Sequence, residues 1–155
     1  MPKPAIIFVH GAWNPPEQYL KLINPLKEAG CEVFAPRLVT LGNKAAGKTW
    51  KDDAAVIMEV LQPLVDGGRE VVVVAHSYGG IPTPHAISGF EIKEGKAGGV
   101  KAAVYIAAFC LQKGVDLYTA TGQNYLACVR KAEPYSGVSA AVSPLIASRS
   151  TDAAR

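Results

Sequence analysis

Four short apolar runs along the chain predict four β-strands. They cover residues 5–9, 31–35, 71–75 and 101–108. The first and third runs, AIIFV and VVVVA, are apolar at every position, which is typical of strands buried on both faces of a parallel sheet. The second run stops before Pro36, since proline cannot donate a hydrogen bond to a neighbouring strand.

The segments between these runs have the spacing of helices. Residues 17–29 place apolar side chains at helical intervals, and Gly30 would end that helix. A second helix is predicted to begin after Thr49, with Asp52 completing a capping box. Its apolar positions recur at intervals of four, three, four and three residues: Trp50, Ala54, Ile57, Leu61 and Leu64. A third helix is predicted over residues 80–90.

The alternation of strands and helices predicts an α/β fold. Successive strands are joined by segments long enough for helical crossovers, which favours a three-layer α/β/α arrangement around a parallel sheet of about four strands. We expect residues 1–118 to form this core. Residues 119–155 have no clear period and end in a stretch rich in serine and alanine, so we expect a cap-like start followed by a loose tail.

Composition and charge exclude several classes of protein. The chain has 155 residues, of which 49% are hydrophobic and 19% charged, a balance that disordered chains do not have. The formal net charge of +3 is spread without a basic run, so no nucleic-acid partner is predicted. The longest apolar run, residues 102–111, is about half the length of a membrane span, so no membrane association is predicted.

The cysteines and histidines add two expectations. Three cysteines at wide spacing, without the pattern of a secretory signal at the N-terminus, predict reduced thiols and a cytoplasmic protein. No paired Cys or His spacing suggests a metal, so neither a metal nor a cofactor is predicted.

The segment AHSYGG, residues 75–80, is a close variant of the G-x-S-x-G nucleophile motif. It follows the third predicted strand directly and opens a predicted helix, which is the context that the motif needs. Such a turn requires small residues two positions before and after the serine, and Ala75 and Gly79 satisfy this. Ser77 is therefore the predicted nucleophile, with the Tyr78 amide aimed at the oxyanion that develops on an attacked carbonyl.

A second motif, HGAW, follows the first predicted strand. Gly11 lets the chain turn sharply, and the Ala12 amide would be the second oxyanion donor. His10, Gly11 and Trp13 are predicted to border the substrate pocket. This motif alone is weak evidence for an oxyanion loop. Together with the serine motif two strands later, it is strong evidence.

These motifs give the chain a resemblance to the α/β-hydrolase superfamily. The stretches PAIIFVHGAW, KTWKDDAAVI, VVVVAHSYGGIP and VYIAAF are similar to those of small esterase-like members with an HGAW oxyanion loop and an HSYGG elbow. The resemblance covers residues 4–118. It implies serine-dependent hydrolysis of a small ester-like substrate, with Ser77 as the nucleophile and the amides of Ala12 and Tyr78 as the oxyanion hole.

The family pattern continues with an acid and then a histidine, and neither is identified in this chain. No histidine follows His85, which lies on the helix predicted after Ser77, about 12 Å along its axis. Asp116 and Asp152 qualify as the acid by position alone. The acid and histidine of a triad therefore stay unknown, and the chain is predicted to be truncated on its C-terminal side.

Three explanations of the missing base stay open. The gene product is truncated or frameshifted, a second chain supplies the histidine, or the protein is a catalytically dead, hydrolase-like binding module. The chain alone is predicted to be a weak or inactive hydrolase, because loss of a triad member costs on the order of 10⁴–10⁶ in turnover. A sheet that ends at the fourth strand exposes a parallel edge, which predicts a homodimer through that edge.

The segment GNKAAGKT, residues 42–49, matches the P-loop pattern G-x-x-x-x-G-K-[ST]. Residues 36–41 separate it from the second predicted strand, however, and the third strand ends without the aspartate that would hold Mg²⁺. A nucleotide binder is therefore the third alternative, behind a hydrolase and a binding module, and Thr49 is interpreted as a helix cap.

Overall fold

The computed structural model describes residues 3–42 and 45–122, and this part of the chain contains a four-stranded parallel sheet. The strands are β1 (Ala5–Val9), β2 (Val33–Phe34), β3 (Glu70–His76) and β4 (Gly99–Ile106). Their order is β2-β1-β3-β4, and each neighbouring pair is parallel. The predicted α/β fold class is confirmed.

Three strands differ in extent from the predicted runs, and of these β3 is longer by one residue at each end. β2 comprises only Val33–Phe34 of the run 31–35, and Pro36, which has no N–H to extend the pairing, lies just beyond it. β4 ends at Ile106, because Ala107 adopts a φ of +42°, outside the extended range.

Helical segments lie between successive strands, and one more follows β4. In chain order they are a 3₁₀ turn at Pro16–Tyr19, α1 at Leu20–Glu28, α2 at Trp50–Asp66, a 3₁₀ turn at Ser77–Gly80, α3 at Thr83–Ile87 and α4 at Leu117–Ala120. The predicted capping box of α2 is present, since the Thr49 side chain accepts from the backbone and the Asp52 carboxylate accepts from the Thr49 N–H at 2.8 Å. It fixes where this longest helix begins.

The first and third predicted helices are shorter than expected. The helix predicted over residues 17–29 begins as a 3₁₀ turn rather than as α-helix. The helix predicted over residues 80–90 is confined in its α-helical part to Thr83–Ile87, because Ser88 is extended and Gly89 has a φ of +89°. That φ is accessible to glycine and ends a right-handed helix.

The register of the sheet decides which residues meet at its C-terminal edge. Ala5 pairs with Val71 and Val9 with Ala75, so β1 and β3 run side by side along the whole of β1. The chain leaves both strands at the same edge, and the loop after β1 therefore lies next to Ser77 after β3.

The best-covered part of the core lies between the sheet and α2. Ile7 of β1 and Val73 of β3 share one face of the sheet, and both are completely buried. Ile57 and Leu61 of α2 cover them and are completely buried as well. The helical spacing in the sequence therefore identifies the helix face that meets the sheet, but Trp50, which the same spacing includes, is 38% exposed.

Within residues 3–42 and 45–122, no helix is long and apolar enough to cross a membrane. Nor do these ranges bring together three or more His, Cys, Asp or Glu side chains that could hold a metal ion.

Candidate active site

Ser77 lies on a strained turn at the C-terminal end of β3. Its φ is +50°, in the left-handed region that residues with a side chain rarely occupy. Such strain costs on the order of 1–3 kcal/mol and persists only where the surrounding structure enforces it. The residue is half-buried, as expected at the edge of the sheet rather than inside the core.

Two glycines explain how the chain can turn so tightly after Ser77. A Cβ at Gly79 would lie 2.6 Å from the Val9 carbonyl oxygen, and a Cβ at Gly80 would collide with the Phe109 carbonyl oxygen. On the other side of the turn, the Ser77 carbonyl accepts from the Phe109 N–H at 3.1 Å. The backbone ends of β1 and β4 thus hold the turn from both sides.

The HGAW loop contacts this turn directly. A Cβ at Gly11 would lie 3.2 Å from Ser77 Cβ and 2.9 Å from His76 Nδ1, so only glycine fits there. Trp13 also has a left-handed φ of +62°. The structure therefore brings the two sequence motifs together, with Ala12 next to the contact. The oxyanion roles of the Ala12 and Tyr78 amides stay predictions.

His10 lies in the interior, although it is predicted to border the pocket. Its side chain is 1% exposed. Nε2 accepts from the Leu38 N–H at 3.0 Å, so the proton is on Nδ1, which donates to the Gly11 carbonyl at 2.7 Å. Burial, the largest effect, lowers the pKa of His10. This neutral ring ties the start of the HGAW loop to the segment after β2 and is not accessible to a substrate.

Tyr19 joins the two motifs and is not apparent from the sequence. Its hydroxyl accepts from the Gly11 N–H at 3.1 Å and lies 2.9 Å from His76 Nδ1. One ring nitrogen of His76, Nδ1, is therefore bonded to Tyr19. No short pattern links a tyrosine in a 3₁₀ turn to a histidine 57 residues later, so only the packed structure reveals this contact.

Asp53 is a second residue that the motif search misses. It is completely buried in α2, and its carboxylate accepts from the Thr40 N–H at 3.0 Å, the Thr40 hydroxyl at 2.6 Å and the Tyr78 hydroxyl at 2.7 Å. Burial, followed by the hydrogen bond to this carboxylate, raises the pKa of Tyr78. A charged residue beside Ala54 in an apolar helix face is the sequence signal that could have found it.

A cleft of about 1000 Å³ opens beside the turn. Tyr78, Gly80 and Ile81 form one wall, the start of α2 contributes Trp50, and further walls come from α3 and residues 111–117. Trp50 meets the ring of His85 edge-on, with 5.4 Å between ring centroids. The predicted pocket residues His10, Gly11 and Trp13 do not line this cleft.

The P-loop-like segment makes contacts of another kind. Residues 43 and 44 lie outside the described residues. Lys48 forms an ion pair with Asp52 at 3.5 Å, and the Thr49 hydroxyl donates to the same carboxylate at 3.0 Å. The lysine and threonine that a P-loop gives to phosphate and Mg²⁺ are thus engaged at the start of α2.

Comparison with known proteins agrees with this geometry. A family model described as "Alpha/beta hydrolase family" matches residues 6–153, and the chain therefore belongs to that family. The resemblance inferred from the motifs is confirmed, and it supports a hydrolase at the level of the family.

Two curated relatives are similar over about half of their own length. The "Alpha/beta hydrolase nvfD" of Aspergillus novofumigatus (strain IBT 16806) is 33% identical over 125 residues, which are 79% of this chain and 49% of that protein. The "Probable hydrolase R7" of Phoma sp. (strain ATCC 20986 / MF5453) is 36% identical over 124 residues, again 79% and 49%. The chain thus spans about half the length of the curated relatives it matches.

Among solved structures, tomato Methylketone Synthase I complexed with 2-tridecanone is similar, with a TM-score of 0.63. The match covers 86% of this chain and 54% of that one at 21% identity. This likeness shows the shared fold.

Proposed function

We propose that the protein is a serine-dependent hydrolase of a small ester or related acyl substrate, with Ser77 as the nucleophile. The observation that carries the proposal is the strained Ser77 turn at the end of β3, with Gly11 of the HGAW loop packed against it. Acyl transfer requires a serine hydroxyl at an accessible strand end and backbone amides beside it that can stabilise an oxyanion, and these two turns are proposed to supply both.

In the proposed reaction, Ser77 Oγ attacks the carbonyl carbon of the ester and gives up its proton to a base. The carbonyl electron pair moves to oxygen, where the Ala12 and Tyr78 amides would stabilise the charge. Collapse of this intermediate breaks the bond to the alcohol, which leaves with a proton. Water then hydrolyses the acyl-serine, releasing the acid and restoring Ser77.

The cleft beside the turn is the proposed place for the rest of the substrate. Its volume of about 1000 Å³ is at the upper end of the range for small-molecule sites. Trp50 and Ile81 give it apolar walls next to Tyr78. These walls favour a substrate with an apolar acyl or alcohol group over a wholly polar one.

The second candidate is a hydrolase-like module that binds a ligand or partner without catalysis. It is favoured by the positions of the three histidines. His10 and His76 are bonded to other groups, and His85 lies against Trp50. Within residues 3–42 and 45–122, no histidine is hydrogen-bonded to the Ser77 hydroxyl, so the base of the hydrolase proposal is not identified.

Labelling with a fluorophosphonate probe separates the two candidates. Such a probe phosphonylates an activated serine: the Ser77 oxygen bonds to phosphorus and fluoride leaves. The hydrolase proposal expects one label per chain, mapped to Ser77 by peptide mass, and lost both in Ser77→Ala and after heat denaturation of the wild type. A folded wild-type chain that stays unlabelled would reject the hydrolase proposal and support the binding module.

We also propose that the protein is cytoplasmic. Cys31 and Cys110 are both free thiols, and Cys110 is exposed, which suits a reducing compartment. The compartment is tested by fractionating cells that express the chain from its own gene. Recovery with a secreted or membrane fraction would contradict this proposal.

A further inference from the structure

A single tyrosine hydroxyl connects the HGAW loop to the Ser77 turn. Tyr19 Oη receives the Gly11 N–H at 3.1 Å and lies 2.9 Å from His76 Nδ1. Gly11 directly precedes Ala12, and His76 lies two residues before Tyr78, so each contact is close in the chain to one of the two proposed oxyanion amides. The hydroxyl therefore lies between the two turns whose spacing that site depends on.

The groups involved fix the direction of one of the two hydrogen bonds. A backbone N–H can only donate, so Tyr19 Oη accepts from Gly11. Between Oη and His76 Nδ1 the hydroxyl donates to a bare Nδ1 or accepts from a protonated one, so this pair is bonded in either tautomer of the ring. In both cases one oxygen bonds to both groups, and it holds the HGAW loop and the end of β3 in a defined relation.

The ring of Tyr19 has little freedom to move. It stacks at a tilt on Phe8 of β1, with 4.8 Å between ring centroids, and meets the His76 ring edge-on at 5.4 Å. Gly11 is similarly restricted, because a Cβ there would come within 3.1 Å of Tyr19 Oη and 2.9 Å of His76 Nδ1. The hydrogen bond from Gly11 therefore connects a closely packed Tyr19 ring to a backbone segment that has little room to move.

We propose that Tyr19 is a positioning residue that sets the distance between the two halves of the oxyanion hole. This inference rests on the proposed function, since it assigns Tyr19 a role in the same site. Tyr19 acts through Gly11 and His76 and does not itself touch the reacting atoms. Its loss is expected to displace the Ala12 amide relative to Ser77 without changing the cleft.

The test compares saturation kinetics of fluorophosphonate labelling in the wild type and in Tyr19→Phe, which removes only the hydroxyl. Complete removal of one oxyanion donor costs about 10²–10³ in rate, so its displacement is expected to slow the inactivation rate constant by on the order of tenfold. The probe concentration at half saturation is expected to stay within about twofold, since the cleft is unchanged.

Tyr105→Phe is the matched control, because it removes a tyrosine hydroxyl from β4 and leaves both turns intact. It is expected to label like the wild type. A second measurement does not need labelling: the Gly11 amide proton in a ¹H–¹⁵N spectrum is expected to move upfield in Tyr19→Phe and to stay in place in Tyr105→Phe, because only the former loses its acceptor.

The outcomes separate the two proposals. A labelled wild type with a slower inactivation constant in Tyr19→Phe supports the positioning role. A labelled wild type with an unchanged constant in Tyr19→Phe overturns that role and leaves the hydrolase proposal standing. Equal loss of rate and of probe affinity also overturns it, since that result indicates general disruption of the site. An unlabelled, folded wild type overturns both proposals.

Discussion

The two faces of the sheet are built from similar apolar residues but are covered very differently. On the first face, Ile7 and Val73 are completely buried under α2 and α3. On the second face, Phe8 of β1 packs on Tyr19 of the 3₁₀ turn and is 1% exposed, whereas Val104 and Ile106 of β4 are 45% and 40% exposed. The difference shows that burial of a strand depends on its covering helix, not on the hydrophobicity of its own sequence.

The same contrast distinguishes the ends of the sheet. The middle strand β3 alternates between buried and half-buried positions along its length, since it has neighbours on both sides. β4 lies at the edge of the sheet within the described residues, and none of its residues after Val100 is buried. The proposed active site lies at the ends of β1 and β3, in the part of the sheet that is best supported.

The largest expected change in the free energy of unfolding comes from truncating a buried side chain between α2 and the sheet. Ile57→Ala is expected to cost about 2–5 kcal/mol of the free energy of unfolding, because it leaves a cavity under α2. Ile106→Ala on the open face is expected to cost less than about 1 kcal/mol, since much of that side chain is already in water. Urea unfolding measures both, and equal losses would show that the second face is covered in solution.

The next effect concerns the buried carboxylate under the first face. Asp53→Asn keeps the size of the side chain but replaces one acceptor oxygen with an NH₂ donor, so it cannot accept all three hydrogen bonds that Thr40 and Tyr78 donate to Asp53. We expect a loss of about 2 kcal/mol, typical of buried polar groups left without partners. Asp66→Asn, an exposed change at the end of α2, is the control and is expected to stay within about 0.5 kcal/mol. A neutral Asp53→Asn would contradict this role.

A smaller change in the free energy of unfolding is expected at acid pH, and it comes from His10, directly after β1. Burial lowers the pKa of His10 in the folded chain below its ordinary 6.5. Between those two values the unfolded chain binds more protons, so stability is expected to fall as the pH drops below about 6.5. Asp52 and Glu91, whose pKa values are lowered from 3.8 and 4.5, contribute only at more acid pH.

Urea unfolding between pH 4.5 and 7 therefore isolates His10. The matched variant is His10→Gln, which cannot titrate in this range. Its stability is expected to be lower at pH 7 and to change less with pH than that of the wild type. Parallel pH profiles for the two proteins would show that His10 does not control the acid response.

The smallest change in the free energy of unfolding is expected on the exposed face of β4. Self-association is the quantity to measure there. We predict a homodimer through the β4 edge, because within the described residues that edge is paired only at Val100, with Glu91, and it carries Val104 and Ile106 beside it. Val104→Lys is expected to change unfolding by no more than about 0.5 kcal/mol and to convert the dimer to a monomer in light scattering. A wild type that is monomeric at high concentration would contradict the prediction.

Much of the fold was accessible from local patterns. The run 5–9 coincides with β1, and Thr49 with Asp52 marks the start of α2, because both depend on residues close together in the chain. The helix predicted over residues 80–90 was less successful, since its end depends on how residues 88–91 join the sheet. The domain boundary at residue 118 stays a prediction, and residues 123–155 of the predicted tail lie outside the described residues.

The residues of the candidate site also fall into those that local motifs predict and those that depend on distant contacts. Ser77 and Gly11 were identified because short motifs encode sharp turns after strands, where the required residue types are few. Tyr19 and Asp53 were not identified, because their partners are distant in sequence and any polar side chain of suitable length could have filled the role. His10 was grouped with the pocket, whereas its burial follows from contacts with Leu38 that no local pattern contains.

The sequence by itself therefore determined the order of strands and helices, the strained serine turn and membership of a hydrolase-like family. These properties arise from side-chain volume, backbone conformation and hydrogen bonding within a few residues. Only the tertiary structure decided which face of the sheet is covered, which ring joins the two turns and which carboxylate is buried beneath them. Those properties arise from the register that places Val9 beside Ala75 and from helices that pack across it, and such contacts exist only once the chain has folded.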